Sequence, residues 1–157
     1  MLDSIYALSP ETLKARNIKL LLMDLDNTLV PYGIDKAGPA LLNWTDSMKK
    51  AGIEPFILSN NNGPRPARLA IQLSVGFIGG ARKPFKKKLI SVLRDKKIAA
   101  ENTAIIGDQI YTDILCGNSC GVFSIAVRPI SLRNPLLLMR YGLEYPFRRM
   151  GRKSQTI

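Results

Sequence analysis

A chain of 157 residues, 46% of them apolar, can build one hydrophobic core but not two, which excludes a multidomain or an intrinsically disordered protein. Two cysteines and no histidine exclude zinc fingers and His-dependent triads, and no segment approaches the roughly 20 uninterrupted apolar residues of a membrane span. A formal net charge of +11 calls for an anionic partner, without choosing among nucleic acid, an anionic lipid surface and a phosphorylated substrate.

The N-terminal stretch Met1 to Arg16 carries Asp3 and Glu11 and lacks the basic-then-apolar layout of a signal peptide, so a cytoplasmic location is expected. Ile18 to Leu25 reads as a buried strand and Ala37 to Lys50 as an amphipathic helix stopping near Gly52. Ile53 to Leu58 is a second strand, Pro64 to Leu73 a helix, and Gly76 to Ile78 a short apolar piece. Pro84 to Lys97 is expected as a basic helix with Pro84 in its first turn. Thr103 to Ile106 is a further strand, Gln109 to Cys120 a helix closed by Gly121, and Val122 to Val127 the last strand. Cys116 and Cys120 lie four apart in that helix and are expected to pack as small hydrophobes.

Strands without polar alternation, separated by helices, predict an α/β fold: three layers, Rossmann-like, with a parallel sheet covered by helices on both faces. In such sheets ligands bind beyond the carboxyl ends of the strands. Polar groups fall at those ends. Asp24 and Asp26 close the first strand, Ser59 with Asn60, Asn61 and Asn62 follows the second, Lys83 precedes the basic helix, and Asp108 follows the third clear strand. Asp24 and Asp26, two apart on an extended chain, can face the same side, and two such anions need a cation between them. Mg²⁺, which takes one or two carboxylates and keeps sites for water and phosphate, suits that pair.

The runs Asp24-Leu25-Asp26-Asn27-Thr28, Ile57-Leu58-Ser59-Asn60-Asn61, Lys83-Pro84 and Gly107-Asp108-Gln109-Ile110-Tyr111-Thr112-Asp113, in this order, closely resemble the four motifs of the haloacid dehalogenase (HAD) superfamily of phosphatases, across roughly residues 18–127. Ser59 to Asn62, Ala81-Arg82-Lys83-Pro84 and Gly107-Asp108-Gln109 with Thr112-Asp113 resemble a bacterial subgroup of small subclass IIIA enzymes related to the mitochondrial phosphatidylglycerophosphate phosphatases. The resemblance implies that Asp24 is the nucleophile, forming an aspartyl-phosphate, and Asp26 the general acid and base. It implies Mg²⁺ held by Asp24, the main-chain carbonyl of Asp26 and Asp108. It further implies that Ser59, Asn60 and Lys83 bind the phosphoryl group, with Ser59 and Lys83 also counted in the catalytic set, and that Asp113 orients the metal loop or a water from behind.

Between the first two motifs lie only residues 29–58, and between Ser59 and Lys83 only 60–82, so no cap domain is expected and the site should lie open. Openness suits a bulky phosphorylated substrate such as a lipid headgroup. The positive charge is concentrated in Arg82 to Lys97, with eight basic groups and one acid, and in 128–157, with seven and one. A phosphatase domain over 1–130 is thus expected to carry a basic amphipathic tail over 131–157. There Leu136, Leu137, Leu138, Met139, Tyr141, Leu143, Tyr145, Phe147 and Met150 interleave with Arg133, Arg140, Arg148, Arg149, Arg152 and Lys153, as in a peripheral segment on the inner face of a membrane. Pro135 and Pro146 argue against one uninterrupted helix, and packing of the tail on the core is the competing reading. A broad-specificity phosphatase of soluble esters or phosphorylated macromolecules, and a basic nucleic-acid or ribosome-binding module, are the alternative functions. No RNA-binding signature accompanies the charge, so no specific nucleic acid is expected. Oligomeric state is open.

Overall fold

The structure, a computed structural model, describes residues 1–132, 138–139 and 141–144. Five strands, β1 (Leu20–Met23), β2 (Glu54–Leu58), β3 (Gly76–Ile78), β4 (Thr103–Gly107) and β5 (Phe123–Ala126), form one parallel sheet in the order β3-β2-β1-β4-β5. Every residue of β1 and β4 is buried, because both faces of the sheet are covered. Alternate side chains therefore feed two cores. Leu21, Met23, Ile57, Ala104, Ile106 and Ile125 belong to one, and Leu20, Leu22, Phe56, Leu58 and Ile105 to the other.

Helices α1 (Pro10–Lys14), α2 (Pro39–Lys50) and α3 (Arg65–Leu73) close the first core. In α2 the buried residues Leu41, Trp44, Thr45 and Met48 recur at the spacing of one helical face. Pro39 opens that helix with its backbone angle pre-set, and Gly52, at φ +79°, ends it. The Trp44 indole N–H donates to Leu8 O at 3.0 Å, fastening the N-terminal segment over this face. Helices α4 (Lys87–Lys96) and α5 (Leu115–Ser119) close the second core through Leu89, Val92 and Cys116. Cys116 is buried and free, and burial pushes its thiol up to about 11, so it packs as the sequence predicts; Cys120 is only partly buried.

Two expectations need correction, and one helix was not foreseen. Pro84 does not sit in the first turn of a helix: α4 begins at Lys87, and Lys83 and Pro84 form a turn joined by a cis peptide. The expected helix Gln109 to Cys120 starts instead as a π-helical turn over Ile110–Ile114, with Ile114 N reaching back five residues to Gln109 O at 3.4 Å. The helix Pro10–Lys14 arises in a segment read only as N-terminal, capped by Ser9 Oγ accepting from Thr12 N at 3.3 Å.

Among the described residues, only α2 and its loops connect β1 to β2, and only α3 connects β2 to β3, so no inserted domain roofs the carboxyl edge. No helix there is long and apolar enough to cross a membrane. Of the tail expected over 131–157, residues 133–137, 140 and 145–157 lie outside the described residues, so the readings placed on Leu136, Leu137, Tyr145, Phe147, Met150 and the six basic residues there, and on Pro135 and Pro146, fall beyond them.

Asn27 joins the start of that segment to the loop after β1. Its side chain donates to Ser131 O and accepts from Ser131 N, both at 2.8 Å, while its backbone takes φ +66°. Asn tolerates that left-handed conformation and Ala does not. Asn27→Ala is expected to lose about 2–4 kcal/mol from two part-buried hydrogen bonds and backbone strain, and Asn27→Gly clearly less because its backbone is relaxed there. Thermal unfolding of the pair checks this, and equal midpoints would remove the strain component.

Candidate active site

The strand order reverses at β1, since the chain first builds outward through β2 and β3 and then returns to lay β4 on the other side. That reversal opens a crevice at the carboxyl ends of β1 and β4. Register makes it a site. Met23 lies level with Ile57 and with Ile106, so Asp24, Ser59 and Asp108 emerge from three adjacent strands within one residue of the same height. Asp24 N donates to Ile106 O at 2.9 Å, which holds the first of them close to β4.

Lys83 arrives from farther away. After β3 the chain stays beside the end of β2, with Ser59 N bonded to Ile78 O at 3.0 Å and Ala81 N to Ser59 O at 2.8 Å. The Asn60 amide then grips the Lys83 backbone, accepting from its N at 2.7 Å and donating to its O at 3.1 Å. Asn60, expected to contact the phosphoryl group, thus spends its side chain on fixing the lysine. The Lys83 ammonium is 2.6 Å from Asp24 Oδ1 and 2.6 Å from Asp113 Oδ1; only the Asp24 contact has hydrogen-bond angles.

Burial governs the electrostatics. Asp24 is 7% exposed, and desolvation pushes its carboxyl up to about 6, opposed by Lys83 and reinforced by Asp113. Burial works against the Lys83 ammonium too, but Asp113 and Asp24 outweigh it and hold its pKa above the ordinary lysine value. The Thr28 hydroxyl lies 3.1 Å from Asp24 Oδ2 and 3.2 Å from Asp108 Oδ1 and accepts the Asp108 N–H at 3.0 Å. With one proton to give, it donates to one carboxylate at a time. Ser59 Oγ accepts from Asn61 N at 3.1 Å, which leaves its hydroxyl proton as a donor.

One oxygen from each of the buried Asp24, Asp108 and Asp113 lies within 4.8 Å of the others. Three clustered, buried carboxylates make an all-oxygen donor set that fits a hard divalent cation such as Mg²⁺. Asp113 is already engaged, by Lys83 at Oδ1 and by the Gln109 N–H at 3.1 Å to Oδ2, so Asp24 and Asp108 are the carboxylates suited to the ion. Gly107 makes room for Asp113: a Cβ there would stand 2.3 Å from its Oδ2.

Asp26 projects differently. Its carboxylate pairs with the Arg65 guanidinium and accepts from Asn61 Nδ2 at 3.4 Å. Arg65 also donates to Ile34 O at 2.7 Å and Pro31 O at 3.3 Å, tying the first turn of α3 to the loop after β1. Sequence reasoning missed Arg65, because nothing in a linear pattern pairs a cation with an acid 39 positions away. It also missed Tyr32, whose hydroxyl lies 3.4 Å from Gln109 Nε2, and whose pKa is raised by burial and then by Asp108, Asp24 and Asp26.

Residues 80–129 match the HAD-hydrolase-like family model. Over 128 residues the chain is 41% identical to "Probable phosphatase YqeG" of Bacillus subtilis, covering 82% of this chain and 74% of that protein. Among solved structures it resembles the cobalt-bound deoxy-D-mannose-octulosonate 8-phosphate phosphatase YrbI of Haemophilus influenzae, at TM-score 0.60 and 24% identity over 74% of each chain. It also resembles the 3-deoxy-D-manno-octulosonate 8-phosphate phosphatase of Yersinia pestis, at TM-score 0.57 and 20% identity, over 88% of this chain and 78% of that one. At such identities the two structures speak for the fold alone. The B. subtilis relative, at 41% over four-fifths of the chain, decides the family: this protein belongs to the haloacid dehalogenase superfamily of phosphatases.

Proposed function

We propose that this phosphatase hydrolyses the terminal phosphomonoester of phosphatidylglycerophosphate at the inner face of the membrane, through an aspartyl-phosphate on Asp24. The convergence of Asp24, Ser59, Lys83 and Asp108 at one sheet edge, with Lys83 2.6 Å from Asp24, is the observation that carries the chemistry. A carboxylate oxygen of Asp24 attacks phosphorus in line, the P–O bond to the glycerol oxygen breaks, and Asp26 protonates that leaving oxygen. Water then attacks phosphorus, Asp26 takes its proton, and the Asp24 carboxylate is released. Arg65 and Asn61 hold Asp26 in place for both transfers.

The Lys83 ammonium and the Ser59 hydroxyl face charge developing on the phosphoryl oxygens, where preorganised donors in a buried setting act most strongly. Asp113 fixes the ammonium from the far side. Asp24, Asp108 and the Asp26 carbonyl would hold Mg²⁺, which when bound offsets repulsion between the nucleophile and the phosphoryl oxygens.

Three features support a lipid as the substrate. The carboxyl edge has no roof among the described residues, which leaves space for a headgroup still embedded in a bilayer. Beside the site a cleft of about 480 Å³ includes Thr28 and is lined by Leu29, Val30, Ile34 and Ile130 with Lys36 and the Arg128–Asp3 ion pair, an apolar lining with a net positive charge that suits an amphiphilic anion. Basic residues also crowd the start of α4. With Mg²⁺ present, dispersed phosphatidylglycerophosphate is expected to turn over faster than soluble phosphate esters, with Asp24→Asn as the blank. Equal or faster hydrolysis of the soluble esters would reject the lipid and leave a broad-specificity phosphatase.

A further inference from the structure

We propose that the carboxyl edge of the sheet, the rim on which the active site opens, is itself the surface that seats on an anionic bilayer, so that the site faces the headgroups directly. This rests on the lipid reading above and adds the docking face.

Isolated exposed apolar residues are normal on a soluble protein; their segregation is not. The loops at the carboxyl edge expose Tyr32 and Ile34 after β1, Phe85 after β3, Tyr111 after β4 and Ile130 after β5, and Leu143 lies over Tyr111, whose hydroxyl is 3.3 Å from Leu143 O. Phe85 is 74% exposed and Leu143 63%. The connections at the opposite edge, residues 17–19, 51–53, 74–75, 97–102 and 120–122, expose no large apolar side chain. Of the other exposed large apolar residues, Leu42, Ile71, Ile90 and Leu115 sit on helices, Phe77 on the edge strand and Tyr6 on the N-terminal turn Ile5–Ala7, while Leu138 and Met139 belong to the same C-terminal segment as Leu143.

Charge is segregated in the same sense. Asp26, Asp35 and Asp3 near this edge pair with Arg65, Arg68 and Arg128, and Asp24, Asp108 and Asp113 are buried. Arg82, Lys86, Lys87 and Lys88 are exposed, and among the described residues none has a carboxylate within 4 Å. The first turn of α4 contains no acid, so these cations reinforce the positive end of its helix dipole instead of opposing it, an arrangement that costs helix stability. A surface that bears that cost and adds aromatic rims at one level matches a bilayer interface, where Tyr and Phe settle among headgroups and lysines extend toward lipid phosphates. A nucleic acid would use the cations but gain little from Ile34, Ile130 and Leu143.

The test uses the full chain and vesicles of phosphatidylglycerol and brominated phosphatidylcholine, free of substrate. A tryptophan is placed at the rim in Phe85→Trp or at the opposite edge in Lys50→Trp; Trp44, buried in the core, gives both the same background. The rim tryptophan is expected to shift to the blue and to be quenched several-fold more than the one at position 50. Neutralising the cluster as Lys86→Gln, Lys87→Gln, Lys88→Gln should weaken vesicle pelleting roughly 100-fold. Equal quenching at both positions, binding with no quenching at position 85, or retention on RNA with none on vesicles would each overturn the proposal. Hydrolysis of detergent-dispersed phosphatidylglycerophosphate by the same variants separates the two readings. A chain that docks by its rim but never hydrolyses that lipid sinks the substrate assignment, and one that hydrolyses it dispersed yet ignores vesicles sinks only the docking face.

Discussion

Asp24→Asn will leave a folded protein with kcat lower by roughly 10⁵- to 10⁶-fold, the scale on which enzymes lose activity when a covalent nucleophile is removed. The substitution keeps the shape of the side chain and its place against Thr28 and Lys83 while removing the anion proposed to attack phosphorus. Folding should hardly notice: burial already disfavours the Asp24 charge, and Lys83 keeps Asp113 as a partner. The measurement is phosphate release under single-turnover conditions beside a thermal melt of the same sample. Activity within tenfold of the parent would dismiss Asp24 as nucleophile, and a melt lowered along with activity would reassign its role to structure.

Lys83→Met produces the opposite profile, a large loss of stability with a smaller loss of rate. The ammonium is buried, with its side chain 1% exposed, and it is the cation set between Asp24 and Asp113. Breaking a buried pair from one side strands the remaining charges, at about 3–5 kcal/mol. Asp24 then loses the partner that held its carboxyl down, so its pKa rises further. Removing a donor aimed at the transferring group should cost about 10²- to 10³-fold in kcat. Mg²⁺ supplied at a hundredfold its Kd should return about 2.7 kcal/mol to the melt, since the ion binds only the folded chain. A variant as stable as the parent, or one indifferent to Mg²⁺, would show that the carboxylates do not share one charge balance.

The layered sheet was legible because β1, β2 and β4 are apolar on both faces, a pattern that a parallel sheet alone explains for segments this short. Asp24, Ser59 and Asp108 were legible because each directly follows such a run. Legibility ended where the chain needed a contact rather than a period. Pro84 reads as a helix opener, yet the turn it shares with Lys83 is held by Asn60 from the loop after β2, and α4 starts three residues later. Gln109 to Cys120 has helical periodicity, but Asp113 must return its carboxylate to Gln109 N while reaching Lys83, and a wider turn satisfies both. Arg65 stands near the second motif, with its asparagines, without any pattern of its own; only the folded loop after β1 brings Asp26 within its reach.

The paired bonds between Asn27 and Ser131 tie the segment after β5 to the loop that carries Asp24 and Asp26. A shortened protein cut just after β5 at Ala126, or at residue 130 where the sequence placed the end of the domain, would retain all five strands yet unfasten the residue lying between Asp26 and Thr28. Glu144, buried and 3.4 Å from the Tyr111 N–H, extends the requirement further along the chain. Any minimal active version of this enzyme should therefore reach past residue 144, even though the last strand among the described residues closes eighteen residues earlier.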